Sequence, residues 1–292
     1  MNEFKTYHPI VNFIYFLCVV GFSMFLMHPV SLGITLASAV LYTFVLKGKK
    51  AALVSALLTI PMMLLAAVIN PIFNHAGVTV LAYFPSGNPL TAESFFYGIA
   101  AATMLAAVIF HFACYNEVMT SDKFVYLFGK VIPTLSLVLS MTLKFIPTFT
   151  ARLKEIVNVQ RTLGRDMSSG NILKRMRCAV KILSVLVTWS LESAVETADS
   201  MKSRGYGLSG RTSYSIFHFD KRDLKVFLWI TALSLTVLWG MYSGILYYSY
   251  FPVFETAEFS AQAAAVHTAY LLLCATPVIV ELREEYRWKA IK

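Results

Sequence analysis

Long stretches without a single charged residue limit what this chain can become. Residues 10–46, 51–69, 95–114, 226–254 and 261–280 contain no Asp, Glu, Lys or Arg. Each is long enough to cross a hydrocarbon core of roughly 30 Å, which takes about 20 helical residues. Inside hydrocarbon the backbone must satisfy its own hydrogen bonds, so such segments become helices. Only 14% of the 292 residues are charged, against roughly 25% in a soluble domain. The sequence therefore predicts an all-α integral membrane protein.

The first run reads as a retained hairpin rather than a cleaved leader, because no small-residue cleavage site follows it and a second apolar run begins almost at once. His28-Pro29 divides it into residues 10–27 and 30–46, and Lys47, Lys49 and Lys50 stop it. The expected count is about six transmembrane helices. Residues 144–225 hold 15 of the 25 Lys and Arg against 7 of the 16 Asp and Glu, a formal +8 of the chain's +9. Cationic residues near span ends stay in the cytoplasm. With both termini inside, Lys5, Lys47 to Lys50, Lys123, the basic insert, Arg283, Arg287, Lys289 and Lys292 all fall on that side. The two outer loops, residues 70–94 and 252–260, carry only Glu93, Glu255 and Glu258. Topology thus accounts for the basic pI without a nucleic-acid partner.

Three blocks follow: a four-span membrane block at 1–123, a cytosolic or interfacial helical module at 124–222, inserted between spans 4 and 5, and a two-span block with a charged tail at 223–292. Residues 124–145 are apolar but punctuated by Lys130, Pro133 and Lys144. Crossing alone, they would place the basic insert outside, so they are expected at the inner interface or against the other spans. Pro147 is expected to open the next helix, where a missing N–H costs nothing. Leu153, Ile156, Val157 and Leu163 share one face of that helix, and Arg152, Lys154, Glu155 and Arg161 the other. Gly164 stops it, and residues 166–171 make a polar turn. A second helix should run from Ile172 to about Ser203, roughly 48 Å at 1.5 Å per residue. Its start is basic (Lys174, Arg175, Arg177, Lys181), its middle apolar, and its last third acidic (Glu192, Glu196, Asp199).

Both helices end in an arginine-bearing, glycine-terminated tip, RTLGR from Arg161 to Arg165 and SRGYG from Ser203 to Gly207. Capping alone favours a cation near a helix C-terminus and Gly just past it. The recurrence of the pattern in one basic module makes the tips docking candidates, since a guanidinium presents a planar fork to a carboxylate.

Other chemistry finds little support. No GxxxxGK[ST] segment is present, so the chain should not bind ATP itself. His111 and His267 are the only titratable candidates in the spans, and both read as buried neutral or lipid-facing groups. Cys18, Cys114, Cys178 and Cys274 show no CxxC spacing and read as small buried hydrophobes. His8, His28, His75 and His218 are too scattered for zinc. Asp220 and Asp223 in FDKRD leave open an alternative, a membrane transferase using Mg²⁺. Lys221 and Arg222 between them, and the lack of a second acidic cluster, favour a charged collar before the next span. Neither cofactor nor metal is expected.

His8-Pro9 near the N-terminus, a Pro-initiated helix with Gln160 before its tip, and a second helix ending in ADSMKSRGYG together resemble the transmembrane T component of energy-coupling factor transporters for vitamins and metals, a family that includes the cobalt-transport permease subunit. The specific part of the resemblance lies within residues 144–210. It implies a non-catalytic subunit, in a bacterial or archaeal cell membrane, whose two cytosolic tips dock on two ATP-binding cassette ATPase subunits. It also implies that the chain holds a small substrate-binding membrane subunit. Ser203, Arg204, Gly205 and the adjoining Tyr206 form the second tip. The first aligns as Thr162, Leu163 and Gly164, with Leu163 at the arginine position, so that Arg161 or Arg165 supplies the charge or docking there is apolar. Leu153, Ile156, Leu183 and Leu186 would pack the coupling helices against each other or against the substrate subunit. A stand-alone permease, working without ATPases, is the remaining alternative.

Overall fold

The computed structural model describes residues 3–83, 87–129, 132–164, 171–208, 217–257 and 260–291. They form α1 (Pro9–Phe25), α2 (Pro29–Phe73), α3 (Ala92–Val118), α4 (Ser121–Gly129), α5 (Pro133–Thr162), α6 (Ile172–Ser203), α7 (Lys221–Tyr242) and α8 (Ala261–Ile291). Two short antiparallel ribbons accompany them, β1 (Val80–Tyr83) with β2 (Pro89–Thr91) and β3 (Tyr248–Ser249) with β4 (Glu255–Thr256). The protein is an all-α membrane protein. It divides into two compact units, one of residues 1–120 and 217–292, the other of residues 121–216.

Among the described residues, five helical segments are long and apolar enough to span: Pro29–Lys50, Ala92–Val118, Ile172–Ser203, Lys221–Tyr242 and Ala261–Arg287. The shorter Pro9–Phe25 and Thr59–Phe73 are apolar as well. Helix α2 holds the second and third apolar runs, broken at Gly48, whose φ of 78° is open to glycine and strained for other residues. α6, assigned by charge to the cytosolic module, passes the same test of length and apolarity because its ten central residues are uncharged. The run at 226–254 is helical only to Tyr242, after which Gly244 turns the chain into the β3–β4 ribbon.

Two His-Pro pairs start the first helices in the same way. His8 and His28 are N-caps, each with its ring Nδ1 accepting the backbone N–H two residues on, from Ile10 and Val30. Pro9 and Pro29 follow at the first helical position, where no N–H is needed.

The larger unit is held by a polar seam between α2 and α8. Ser31 Oγ meets His267 Nδ1 at 3.4 Å, Thr35 Oγ1 meets the Tyr270 hydroxyl at 2.8 Å, and Ser38 faces the Cys274 thiol. Residues 31, 35 and 38 share one helical face, as do 267, 270 and 274, and both series rise together. The two helices are therefore parallel. Tyr15 of α1 joins the seam by donating to the Cys274 carbonyl at 3.0 Å, and fully buried His111 of α3 lies by the Thr35 carbonyl. Around the seam pack Phe4, Val19, Tyr42, Ile230, Val237 and Leu273.

At one end of this unit the first residues are tied down by charge. Glu281 of α8 accepts the Phe4 N–H at 3.2 Å, Asp223 of α7 accepts the His8 N–H at 3.1 Å, and Lys5 pairs with Glu117 of α3 at 3.2 Å. Arg222 donates to Thr6 Oγ1 and lies 4.4 Å from the centre of the Tyr7 ring. Burial raises the Tyr7 phenol above its ordinary pKa, and the guanidinium partly offsets this. The opposite end is aromatic: His28 lies 4.8 Å from His267 and 5.5 Å from Tyr248, and Tyr250 donates to the Met27 carbonyl at 2.9 Å. Burial, with His267 alongside, lowers the His28 pKa.

The seam carries a prediction. Thr35→Val, nearly isosteric, should lower the stability of the detergent-solubilised protein by about 1 kcal/mol. Thr236→Val should change nothing measurable, because that exposed hydroxyl bonds only its own helix, at Ala232. Thermal unfolding of both variants checks the contrast.

Candidate functional site

The smaller unit is built on α5 and α6. α4 rests on the start of α5, where Ser136 Oγ donates to the Val125 carbonyl at 3.1 Å. α5 begins at Pro133, so Pro147 lies in the helix interior instead of opening it. An interior proline removes one helical hydrogen bond. The Thr148 and Thr150 hydroxyls next to it bond the Lys144 and Pro147 carbonyls. The apolar sequence from Thr134 to Phe145 continues the helix upstream, which outweighs the break expected at Pro147. Asn171, the one described residue of the expected polar turn, caps α6 by accepting the Ile172 N–H at 2.8 Å.

The two helices meet at Trp189. Phe149 touches its ring edge-on with 5.5 Å between centroids, and the Arg152 guanidinium lies 5.3 Å from its centre while also pairing with Glu155 at 2.6 Å. On one side of this crossing a cleft of about 330 Å³ is lined by Ile156, Val159 and Gln160 of α5 and Val185 of α6. On the other, a cleft of about 420 Å³ is lined by Met141, Lys144 and Phe145 of α5 and Glu196, Met201 and Arg204 of α6. Rising numbers on α5 thus face falling numbers on α6. The helices run in opposite directions. Arg204 lies beside the middle of α5, with Met141, Lys144 and Thr148, and Leu163 is 19 residues beyond Lys144, roughly 28 Å along the axis.

The two tips share one backbone geometry. Arg204 caps α6 at φ −84°, ψ 8°, and Gly205 follows at φ 77°. The Gly205 N–H bonds the Lys202 carbonyl at 2.9 Å and the Tyr206 N–H bonds the Met201 carbonyl at 3.0 Å, a complete Schellman motif. Leu163 caps α5 at φ −83°, ψ 11°, Gly164 follows at φ 72°, and its N–H bonds the Arg161 carbonyl at 3.0 Å. By cap position, Thr162, Leu163 and Gly164 correspond to Ser203, Arg204 and Gly205. Leu163 is 63% exposed and Tyr206 49%. Arg161 and Arg204 are exposed too, and Arg165 lies outside the described residues. Of the expected packing residues, Ile156 lines the smaller cleft and Leu186 is half-buried, whereas Leu153 and Leu183 are exposed and the fully buried side chain of α6 is Ile182.

The aspartate pair is occupied with helix capping. Asp220 is the N-cap of α7, and Asp223 is buried, one oxygen accepting the Asp220 N–H at 3.0 Å and the other the His8 N–H at 3.1 Å. Among the described residues no group of three or more His, Cys, Asp or Glu is placed to hold a metal ion. Sequence reasoning missed the Arg152–Trp189 stack, whose components lie 37 positions apart with no shared motif. It also missed a cavity of about 640 Å³ at the aromatic end of the larger unit, lined by Leu32, Phe96, Tyr248, Tyr250 and Phe254. The aromatic cluster from Tyr247 to Phe254 was its one visible sign.

The family described as cobalt transport protein, CbiQ, matches residues 5–214. Among curated proteins the chain is similar to energy-coupling factor transporter transmembrane proteins EcfT. It is 37% identical to that of Lactobacillus helveticus over 99 residues, 34% of this chain and 36% of the relative. It is 38% identical to that of Lacticaseibacillus paracasei over 108 residues, 37% and 39%, and 39% identical to that of Bacillus selenitireducens over 102 residues, 34% and 38%. The chain thus spans less than two fifths of the length of these relatives.

Two outcomes follow from this geometry. Gly205→Ala should destabilise the end of α6 by about 1–2 kcal/mol, and more than Gly164→Ala destabilises α5. An added Cβ at 205 also lies 3.1 Å from Leu208 Cδ1, while none is crowded at 164. Hydrogen exchange at the Gly205 and Tyr206 amides reads the difference. Asp223→Asn should lower the stability of the larger unit by about 1–3 kcal/mol, since one of the two N–H groups that its carboxylate serves, at His8 and Asp220, loses its acceptor. Chemical unfolding measures that loss.

Proposed function

The chain belongs to the CbiQ family of cobalt transport proteins, and we propose that it is the transmembrane coupling subunit of an energy-coupling factor importer. In this reading the termini and residues 124–222 lie in the cytoplasm of a bacterial or archaeal cell. The tips at Leu163 and Arg204 dock on two ATP-binding cassette ATPase subunits, and the membrane block holds a small subunit that binds a vitamin or metal ion. ATP-driven movement of the tips tilts α5 and α6 as levers and passes to that subunit.

The observation that carries this reading is the pair of tips: two helix ends capped by a residue near φ −84° and then a glycine at positive φ, set well apart along one antiparallel pair, in the segment that holds nearly all the net positive charge. At each tip a glycine at positive φ folds the chain back onto the helix's own carbonyls, and the cap side chain is exposed. At one tip that side chain is arginine, suited to a carboxylate-lined groove. At the other it is leucine, suited to an apolar pocket, and this asymmetry favours two different ATPases. The parallel α2–α8 pair supports the topology, since with the N-terminus inside both helices enter from the outer face. The gathering of Lys5, Glu117, Asp223 and Arg222 at one end, away from the aromatic end, supports it too. The transferase alternative loses its motive, because both oxygens of Asp223 already accept backbone N–H groups.

Affinity purification of the tagged chain from its host in mild detergent tests the docking. Arg204→Glu should reduce recovery of ATPase subunits at least ten-fold, on the order of 2 kcal/mol or more for a charge reversed in a paired site. Leu163→Asp should selectively weaken one ATPase. Unchanged recovery with both variants would remove the coupling assignment.

A further inference from the structure

The first three turns of α6 carry an apolar stripe that no described residue covers. Leu173, Met176 and Val180 are exposed by 65%, 60% and 65%. Their spacing of three and four places them on one side of the helix, and Lys174, Arg177 and Lys181 occupy the adjoining arc. These three cations are exposed and pair with no carboxylate among the described residues. From residue 172 to 191 the sequence has no acidic residue. A groove of about 320 Å³ lined by Ile172, Arg175, Met176 and Ala179 opens on the same turns.

Further along the helix the stripe continues through Val187, Leu191 and Val195, still exposed. The charges beside it change sign, to Glu192, Glu196 and Asp199. One apolar stripe thus has a cationic half and an anionic half. A negatively charged surface attracts the first and repels the second.

We propose that residues 172–181 are an anchor in the headgroup layer of the cytosolic leaflet, binding anionic phospholipid. Leu173, Met176 and Val180 enter the upper acyl region, and Lys174, Arg177 and Lys181 extend from their apolar stems to the phosphates. Clustered cations on an amphipathic helix are the pattern that anionic leaflets hold, each charge adding to the attraction. The inference rests on the reading of residues 124–222 as cytosolic. It adds a fixed point at the start of the lever, while the acidic half of the stripe stays available to protein.

The test uses the full chain in nanodiscs of phosphatidylcholine, with or without phosphatidylglycerol, carrying a photoreactive residue in place of Val180. The expected result is lipid adducts enriched in phosphatidylglycerol over its share of the bilayer. Lys174→Gln, Arg177→Gln and Lys181→Gln should each weaken this enrichment, by up to roughly five-fold per charge, without loss of folded protein, since all three side chains are exposed. Adducts formed equally with both lipids, absent altogether, or formed only with a co-purified membrane protein would overturn the proposal. ATPase recovery by the same preparations separates the two readings. In the chain with its three cations unchanged, absence of lipid enrichment with intact ATPase recovery contradicts the anchor alone, and absence of both contradicts the cytosolic assignment beneath it.

Discussion

In hydrocarbon every polar group on a helix must find a partner inside the protein, and the α2–α8 seam is where this chain meets that demand. Ser31 with His267, Thr35 with Tyr270 and Ser38 with Cys274 set two long helices parallel and in one register. A slip by one residue would turn three hydroxyls toward lipid. Because α1 joins through Tyr15 and His111 of α3 is buried beside Thr35, the seam fixes the frame to which the ends of the unit attach.

At the charged end, backbone N–H groups that helix starts leave unpaired are taken up by carboxylates of α7 and α8. Asp223 serves the starts of α7 and α1 together, and Glu281 holds Phe4. The same problem at helix C-termini is solved at the tips of α5 and α6, where glycine at positive φ lets the chain fold back onto its own carbonyls. The consequences differ. A buried carboxylate junction makes a rigid end, and a glycine-terminated cap makes a compact end with an exposed cap side chain. In the proposed mechanism the rigid ends carry the membrane frame and the capped ends carry the contacts.

Much of this was legible because it is local. The His28-Pro29 turn, the bounds of α6 from Ile172 to Ser203, and Gly164 and Gly205 as stops follow from residue types that act on their neighbours. The division of charge was legible because it is a sum along the chain. Pro147 misled because the loss of one helical hydrogen bond was outweighed by the helix that continues upstream to Pro133. The end of α7 at Tyr242 was hidden because apolar residues continue to Phe254 after the helix stops. The seam and the Arg152–Trp189 stack were out of reach, since they join residues separated by up to 259 positions and leave no periodic trace. Asp220 and Asp223 were correctly attached to the start of the next span, and their role as a capping box with a second helix start required the fold.

The central claim is that Leu163 and Arg204 contact two separate ATPase subunits. The most direct measurement is photo-crosslinking in native membranes, with a photoreactive residue at Leu163 in one sample and at Tyr206, beside Arg204, in another, followed by mass spectrometry of the adducts. The account predicts ATPase adducts at both positions, mapped to equivalent grooves of two different subunits. Adducts confined to lipid, or both positions captured by one subunit, would contradict it.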